Sequence, residues 1–208
     1  MSEKFPSSPS DDPARYLSDY FTRLQQASTT IRPEAIRAAA ELLAETIEAG
    51  RWIYACGNGG SSAIANHLQC DFGKGIRAGT RHRPRIQSLA AHLPTITAIG
   101  NDMSFADIFS HQLSGVGQPG DLLITISSSG NSENIVRPLI WAKEHGLRSI
   151  ALTGFDGGRT AQLAEVNIHV ACHNYGIVED VHQSVMHILA QYVRQSAMTP
   201  DDISRCAF

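Results

Sequence analysis

Two turns rich in glycine and serine constrain this chain more than any other feature of its sequence. Residues 56–62 read CGNGGSS and residues 127–132 read SSSGNS, and each turn lies between an apolar run and a helical pattern. A strand that ends in small residues and opens a helix directs several backbone N–H groups to one point, beside the positive end of the helix dipole. Two such turns predict a site for a small phosphorylated ligand. Neither turn has the spacing of a P-loop or of a dinucleotide-binding fingerprint.

The composition is that of one globular domain. The 208 residues, of which 42% are hydrophobic, suffice for a single core, and the net charge of −3 gives no reason to expect nucleic acid. The basic stretch 74–85 is either a solvated loop or a rim that attracts a phosphorylated substrate. No apolar run approaches a membrane span, no secretory signal is visible, and the four cysteines lack C-x-x-C spacing. We therefore expect a cytoplasmic protein without nucleic-acid or membrane partners.

Apolar runs and helical patterns alternate after residue 50, which predicts an α/β fold with a parallel sheet covered on both faces. Two amphipathic helices, near 14–27 and after Pro33, precede the first strand. Strands are predicted near 51–56, 86–90, 121–126, 148–153 and 166–170, and helices near 60–72, 104–113, 132–145, 159–164 and 177–195. The predicted organisation is a disordered tail at 1–12, a single domain at 13–197 and a C-terminal tail at 198–208. Ligands of such sheets bind at the carboxyl ends of the strands.

Two helices carry the candidate acid–base groups. His67 and Asp71 are four residues apart and share one helix face, and Glu179, Gln183 and His187 share a face of the last long helix. Imidazoles and carboxylates suit proton transfer and also bind Zn²⁺. A surface ion pair accounts for most isolated His/Asp pairs. The apolar neighbours of His187 favour burial, so a core histidine is an alternative there.

Residues 96–100 are interpreted as the approach to the carboxyl end of another strand, which Asn101 and Asp102 close. Asp102 then either forms an Asx turn or accepts a hydrogen bond from a sugar hydroxyl.

Five segments resemble, in order, the sugar isomerase (SIS) family and, within it, the bacterial phosphoheptose isomerases. They are CGNGGS at 56–61, GNDMSFADIF at 100–109, SSSGNS at 127–132, ALTGFDGG at 151–158 and DVHQSVMHIL at 180–189. The resemblance implies a three-layer α/β/α sandwich with a five-stranded parallel sheet, in the flavodoxin-like SIS fold, and a homotetramer whose active sites are completed between subunits. It also implies an aldose–ketose isomerase that converts sedoheptulose 7-phosphate to D-glycero-D-manno-heptose 7-phosphate for surface glycans such as lipopolysaccharide.

The resemblance assigns a role to individual residues. The substrate-binding residues would be Asn58, Gly59, Ser61, Asp102, Ser127, Ser128, Ser129 and Ser132. Zinc would be held by His67, Asp71, Glu179 and His187. In an enediol mechanism His187 would be the acid, with Asp71 or Glu179 as the base. Asp71 stands where the family has glutamate, and Glu179 stands where it has glutamine.

Two functions without turnover compete with the isomerase. One is a SIS-fold adaptor that binds a replication-initiator-type protein, and the other is a sensor that binds a phosphosugar. The presence of His67, Asp71 and His187 favours catalysis, because an adaptor needs none of them.

Overall fold

A five-stranded parallel sheet lies at the centre of the computed structural model, which describes residues 5–206. The strands are β1 (Trp52–Gly57), β2 (Arg85–Ser88), β3 (Leu122–Ser127), β4 (Arg148–Thr153) and β5 (Val166–His169). Their order is β2-β1-β3-β4-β5, and every pair is parallel. The strand order reverses between β1 and β3, which makes this the position where α/β proteins bind ligands. The predicted sheet and its flavodoxin-like order are confirmed.

Helices cover both faces of the sheet. They are α1 (Pro13–Ser28), α2 (Pro33–Glu48), α3 (Gly60–Cys70), α4 (Leu93–Asp102), α5 (Ser110–Val116), α6 (Glu133–Glu144), α7 (Gly158–Leu163), α8 (Tyr175–Gln195) and α9 (Pro200–Arg205). A π-helical turn, Asp71–Gly75, extends α3, and a 3-10 turn, Phe105–Asp107, precedes α5. No helix among residues 5–206 has the length and apolar character needed to cross a bilayer.

The two faces of the sheet contribute to separate cores. Along β1, Ile53 and Ala55 belong to the core that includes α2, α3 and α8, whereas Tyr54 and Cys56 belong to the core that includes α5 and α6. This alternation follows from the two-residue period of a strand. All six residues of β3 are buried, as expected of the central strand. The three-layer α/β/α sandwich is thereby confirmed.

The interpretation of residues 96–100 as the approach to a strand end is wrong, because they lie inside α4. Pro94 occupies the first turn, where its missing N–H breaks no helical hydrogen bond. His92 caps the helix by accepting a hydrogen bond from the Thr95 N–H at 3.3 Å. The preference of isoleucine and threonine for strands depends on their packing environment. Here the proline and the histidine cap at the start of the segment favour a helix. Asp102 is consequently the last residue of a helix.

Both predicted tails contain ordered features in the described part of the chain. The first four residues of the tail 1–12 lie outside the described residues. Phe5 packs against Tyr16 with 5.3 Å between ring centroids, and Asp12 caps α1 by accepting a hydrogen bond from the Ala14 N–H at 2.9 Å. The C-terminal tail contains α9, and its last two residues are likewise outside the description. The domain boundaries stay a prediction.

The histidine that α8 buries is His182, not His187. His182 is fully buried, and its Nε2 lies 3.1 Å from the carbonyl oxygen of Thr153. Its Nδ1 is buried and has no hydrogen-bond partner among residues 5–206. Nε2 must therefore carry the hydrogen of the neutral ring, and a second proton on Nδ1 would find no acceptor. Burial accordingly lowers the pKa of His182 to about 4.

Acidification should destabilise the protein partly through His182. Above about pH 6.5 the ring is neutral in the folded and unfolded chains, and its full contribution to stability is present. As the pH falls, the unfolded chain binds the proton first, so the free energy of unfolding decreases until the folded-state pKa of about 4 is passed. The decrease amounts to about 3 kcal/mol.

Urea unfolding between about pH 7 and pH 4 measures this decrease, on the scale set by the linkage relation. The variant His182→Gln should lose that part of the pH dependence, whereas His111→Gln, which removes an exposed histidine, should retain it. A pH dependence that stays the same in His182→Gln would contradict the assignment.

Candidate active site

A carboxylate lies between two imidazoles where α3 meets α8. One oxygen of Asp71, Oδ1, is 3.3 Å from His67 Nε2, and the other, Oδ2, is 3.5 Å from His187 Nε2. The two imidazole rings stand edge to face with 5.1 Å between their centroids. The structure therefore brings together three of the four residues predicted as a metal and acid–base set.

Local structure explains this convergence. His67 lies in the last turn of α3, and Asp71 follows one turn later as the first residue of the π-helical turn. Leu68 and Val185 are buried in the core that α3 and α8 share, so the packing of these helices brings His187 to the other two groups. The side chains of His67, Asp71 and His187 remain 46%, 29% and 40% exposed, which leaves them accessible to a ligand.

Gln183 completes the cluster and was not singled out as a functional residue from the sequence. Its Nε2 lies 3.1 Å from His67 Nδ1 and 3.1 Å from His187 Nε2. The signal was its position, four residues before His187 on the same helix face. His187 Nε2 thus faces an amide donor and the Asp71 carboxylate together. That nitrogen can accept a hydrogen bond from the amide or donate one to the carboxylate.

The cluster also has the donor set of a metal site. One ligand atom each from His67, Asp71 and His187 lies within 4.8 Å of the others. Two imidazole nitrogens and one carboxylate oxygen are donors that Zn²⁺ accepts, and catalytic zinc sites commonly use three protein ligands. The fourth predicted ligand, Glu179, is not part of this group. Its carboxylate lies against Gly60, where a Cβ atom would overlap it. Partial burial, followed by the neighbouring Asp180, raises the pKa of Glu179.

The first predicted phosphate turn joins β1 to α3. Gly59 is the N-cap residue of α3 with φ of 54°, a left-handed region that glycine adopts readily, and it offers no side chain to cap the helix. Ser61 is buried within the first turn of α3. In the described chain no side chain caps α3 or α6, so no side-chain acceptor competes with an anion at the first N–H groups of either helix.

The second predicted turn joins β3 to α6 and is stabilised by hydrogen bonds to the hydroxyls of its own serines. The Ser127 hydroxyl accepts a hydrogen bond from the Gly130 N–H at 3.1 Å, and the Ser129 hydroxyl accepts one from the Asn131 N–H at 3.4 Å. Each accepting hydroxyl keeps its own hydrogen to donate. Ser132 is the N-cap residue of α6, although its hydroxyl does not cap the helix. Ser128 is buried, and its hydroxyl is without a partner among the described residues.

A pair of amide side chains connects the two turns. Asn58 of the first turn exchanges two hydrogen bonds with Asn134, the second residue of α6. Sequence reasoning missed Asn134, because nothing in the spacing distinguishes it from other polar residues after SSSGNS. Asp102 is exposed at the end of α4 and accepts a hydrogen bond from Asn101 Nδ2 at 2.8 Å. The structure does not join Asp102 to the turns.

The family model for the SIS domain matches residues 15–154 of the chain. This chain belongs to the SIS domain family. The match confirms the predicted family, and it includes both turns together with His67 and Asp71. His187 lies beyond the matched residues, on the helix that completes the cluster.

Several proteins similar to this chain over most of its length are phosphoheptose isomerases. The one from Shewanella loihica is 38% identical over 194 residues, which are 89% of this chain and 97% of that protein. The structure of phosphoheptose isomerase from Neisseria gonorrhoeae has a TM-score of 0.79 and 31% identity, covering 88% of this chain and 96% of the other. The structure from Francisella tularensis has a TM-score of 0.81 and 29% identity, covering 88% and 99%.

Proposed function

We propose that this chain is a phosphoheptose isomerase, which interconverts sedoheptulose 7-phosphate and D-glycero-D-manno-heptose 7-phosphate in the synthesis of a surface-glycan precursor such as that of lipopolysaccharide. The observation that carries the proposal is the Asp71 carboxylate between His67 and His187, where α8 meets α3, the helix that begins at the first glycine- and serine-rich turn. The similarity to phosphoheptose isomerases over most of the chain supports it.

The length of α3 supports a seven-carbon substrate. His67 lies seven residues after Gly60, where α3 begins, so about 10 Å of helix separates the two positions. A ketoheptose 7-phosphate has eight bonds between C1 and phosphorus, and its extended chain spans roughly 10 Å, at a little less than one bond length of advance per bond. A phosphate at the start of α3 would therefore place C1 and C2 beside the cluster.

The phosphate is assigned to the two turns. Hydroxyls of Ser61, Ser127, Ser129 and Ser132 would donate to it, together with the first backbone N–H groups of α3 and α6, which no side chain caps. The buried Ser128 hydroxyl is a further donor on the same turn. Asn58 and Gly59 would line the beginning of the sugar chain. Asp102, at the end of α4, would accept a hydrogen bond from a sugar hydroxyl.

Zinc would be held by His67, Asp71 and His187, whose two nitrogens and one oxygen fit this ion. A zinc ion there would supply Lewis acidity toward the oxygens on C1 and C2. Glu179 would complete the set of four ligands only if its carboxylate left Gly60. With Glu179 apart from the cluster, the protein would supply three ligands, the number that is common in catalytic zinc sites.

The reaction moves one proton between neighbouring carbons. Asp71 would take the proton from C1 of the ketose, giving an enediol, and a proton returned to C2 forms the aldose. Through a ring nitrogen that does not hold zinc, His187 would exchange protons with the substrate oxygens, giving one to the forming hydroxyl and taking one from the oxygen that becomes the carbonyl. Gln183 would orient both imidazoles through its amide. Asp71 is preferred to Glu179 as the base because it contacts the histidines.

We also assign the protein to the cytoplasm and to a homotetramer. Leu17 and Phe21, on one face of α1, are 57% and 58% exposed in the single chain, and Ile188 and Tyr192 of α8 are exposed as well. Such apolar surface is typical of subunit contacts. All four cysteines are free thiols, which fits a reducing compartment.

Turnover of sedoheptulose 7-phosphate by the purified protein tests the proposed function directly. We expect the aldose 7-phosphate to form at a rate of about 1–10³ per second per site, the ordinary range for enzymes. Fructose 6-phosphate is the matched control, since its shorter chain would leave C1 and C2 short of the cluster. Binding of sedoheptulose 7-phosphate without turnover would favour a sensor. Neither binding nor turnover would favour the adaptor.

A further inference from the structure

Two hydrogen bonds between amide side chains join the two turns across the point where the strand order reverses. Asn58 Nδ2 donates to Asn134 Oδ1 at 3.0 Å, and Asn134 Nδ2 donates to Asn58 Oδ1 at 2.7 Å. We call this contact the amide clasp. Because each residue both donates and accepts, the clasp fixes the relative orientation of the turns as well as their separation. A single hydrogen bond would leave the side chains free to pivot.

The clasp continues the contact between β1 and β3 beyond the end of the sheet. The paired register of these strands ends at Gly57 with Ile126, after which the chain turns into α3 and α6. On its other side the second turn is held by the start of α7, where the Arg159 N–H donates to Asn131 Oδ1 at 3.0 Å. The clasp holds the side of the second turn that faces the first.

The two members of the clasp differ in their access to a ligand. Asn134 is only 2% exposed, whereas Asn58 is partly exposed. An amide side chain has two N–H donors and two acceptor lone pairs, of which the clasp uses one each. Asn58 therefore keeps one donor and one acceptor for a hydroxyl of the sugar. Asn134 is too deeply buried for such a contact and can act only through Asn58 and the turns.

We propose that Asn134 is a positioning residue, which sets the distance between the two ligand-binding turns through the amide clasp. The inference rests on the proposed isomerase, because one substrate must reach both turns and the His67–Asp71–His187 cluster. Release of the clasp lets the first turn shift relative to the second. A displacement of about 1 Å in a substrate-positioning group lowers catalytic efficiency by up to about 100-fold.

A double-mutant cycle in kcat/KM for sedoheptulose 7-phosphate tests the clasp. We expect Asn134→Leu, which removes both hydrogen bonds while keeping the branched shape of the side chain, to lower kcat/KM by about 10- to 100-fold. If Asn134 acts through Asn58, adding Asn134→Leu to Asn58→Ala should change kcat/KM by less than about threefold. Asn167→Ala is the control, since Asn167 also has a partly buried, hydrogen-bonded amide, on β5. It should leave kcat/KM unchanged.

Two results would overturn the proposal. One is a lower melting temperature in Asn134→Leu with normal kcat/KM, which would make the clasp purely structural. The other is a double variant in which the two losses multiply, which would make the residues independent. If the wild-type protein binds sedoheptulose 7-phosphate without turning it over, the isomerase proposal fails by itself. The same cycle is then measured as dissociation constants by calorimetry, with the same two criteria. If the wild-type protein does not bind that ligand either, the clasp has no ligand to position and the inference fails with it.

Discussion

Asp71→Asn should reduce the turnover of sedoheptulose 7-phosphate by about 10²–10⁴-fold, the usual worth of one proton-transfer group. Asn has nearly the shape of Asp, but its amide cannot take a proton from carbon, and only one of its two terminal atoms can accept a hydrogen bond. The contacts of Asp71 Oδ1 and Oδ2 with His67 and His187 cannot then both persist as they are. The side chain is partly exposed, so the melting temperature should change little.

Asp156→Asn is the matched control for Asp71→Asn. Asp156 also pairs with an imidazole, at 3.2 Å from Oδ1 to His173 Nε2, but its side chain is 90% exposed in the loop after β4, and His173 lies between β5 and α8. It should keep full turnover. The zinc content of the purified variants gives a reading independent of activity, and Asp71→Asn should retain less zinc than Asp156→Asn. Normal turnover in Asp71→Asn would remove Asp71 from the mechanism.

Asp71 stands where the resemblance to the family predicts a glutamate, and the shorter residue does not prevent the cluster from forming. The shorter side chain still reaches both imidazoles, with oxygen–nitrogen distances of 3.3 and 3.5 Å. It does so at the start of a π-helical turn, a local departure from α-helical geometry that is frequent at functional sites. The π-helical turn could not be predicted, because its sequence DFGKG carries no periodicity that separates it from the end of an α-helix.

The fold was largely predictable because the burial of apolar side chains gives each helix and strand a recognisable pattern of apolar residues in the sequence. The continuous buried run of β3 and the apolar stripes of α2 and α8 show such patterns clearly. The prediction for residues 96–100 was wrong for a physical reason. Their isoleucines and threonines are compatible with a strand or a helix, and the cap from His92 together with Pro94 in the first turn favours the helix. The burial of His182 instead of His187 depends on which face of α8 meets the sheet, a tertiary property.

The site was predictable in part. His67 and Asp71 are neighbours through helix geometry alone, and the turns followed from small residues after apolar strands. The approach of His187 needed the packing of α8 on α3, which only the family resemblance implied. Asn134 and the separation of Glu179 from the other three residues depend on individual rotamers. Such contacts leave no pattern in a single sequence.

His187→Ala and His182→Gln should have opposite effects on activity and stability. His187 is 40% exposed and contacts Asp71 and Gln183, so its loss should lower turnover by about 10²–10⁴-fold with little change in melting temperature. Affinity for sedoheptulose 7-phosphate should stay within about threefold, since the phosphate contacts lie in the turns. His182 lies on the same helix but is fully buried, so His182→Gln should lower the free energy of unfolding by about 1–3 kcal/mol.

Turnover per folded molecule and melting temperature, measured on both variants, separate catalytic from structural histidines on one helix. We expect His182→Gln to keep near-normal turnover at a temperature where it is folded, because its ring contacts the Thr153 carbonyl and not the cluster. Loss of stability without loss of turnover in His187→Ala would make His187 a packing residue. That outcome would leave Asp71 without an acid partner, and it would raise a phosphosugar-binding protein without turnover above the isomerase.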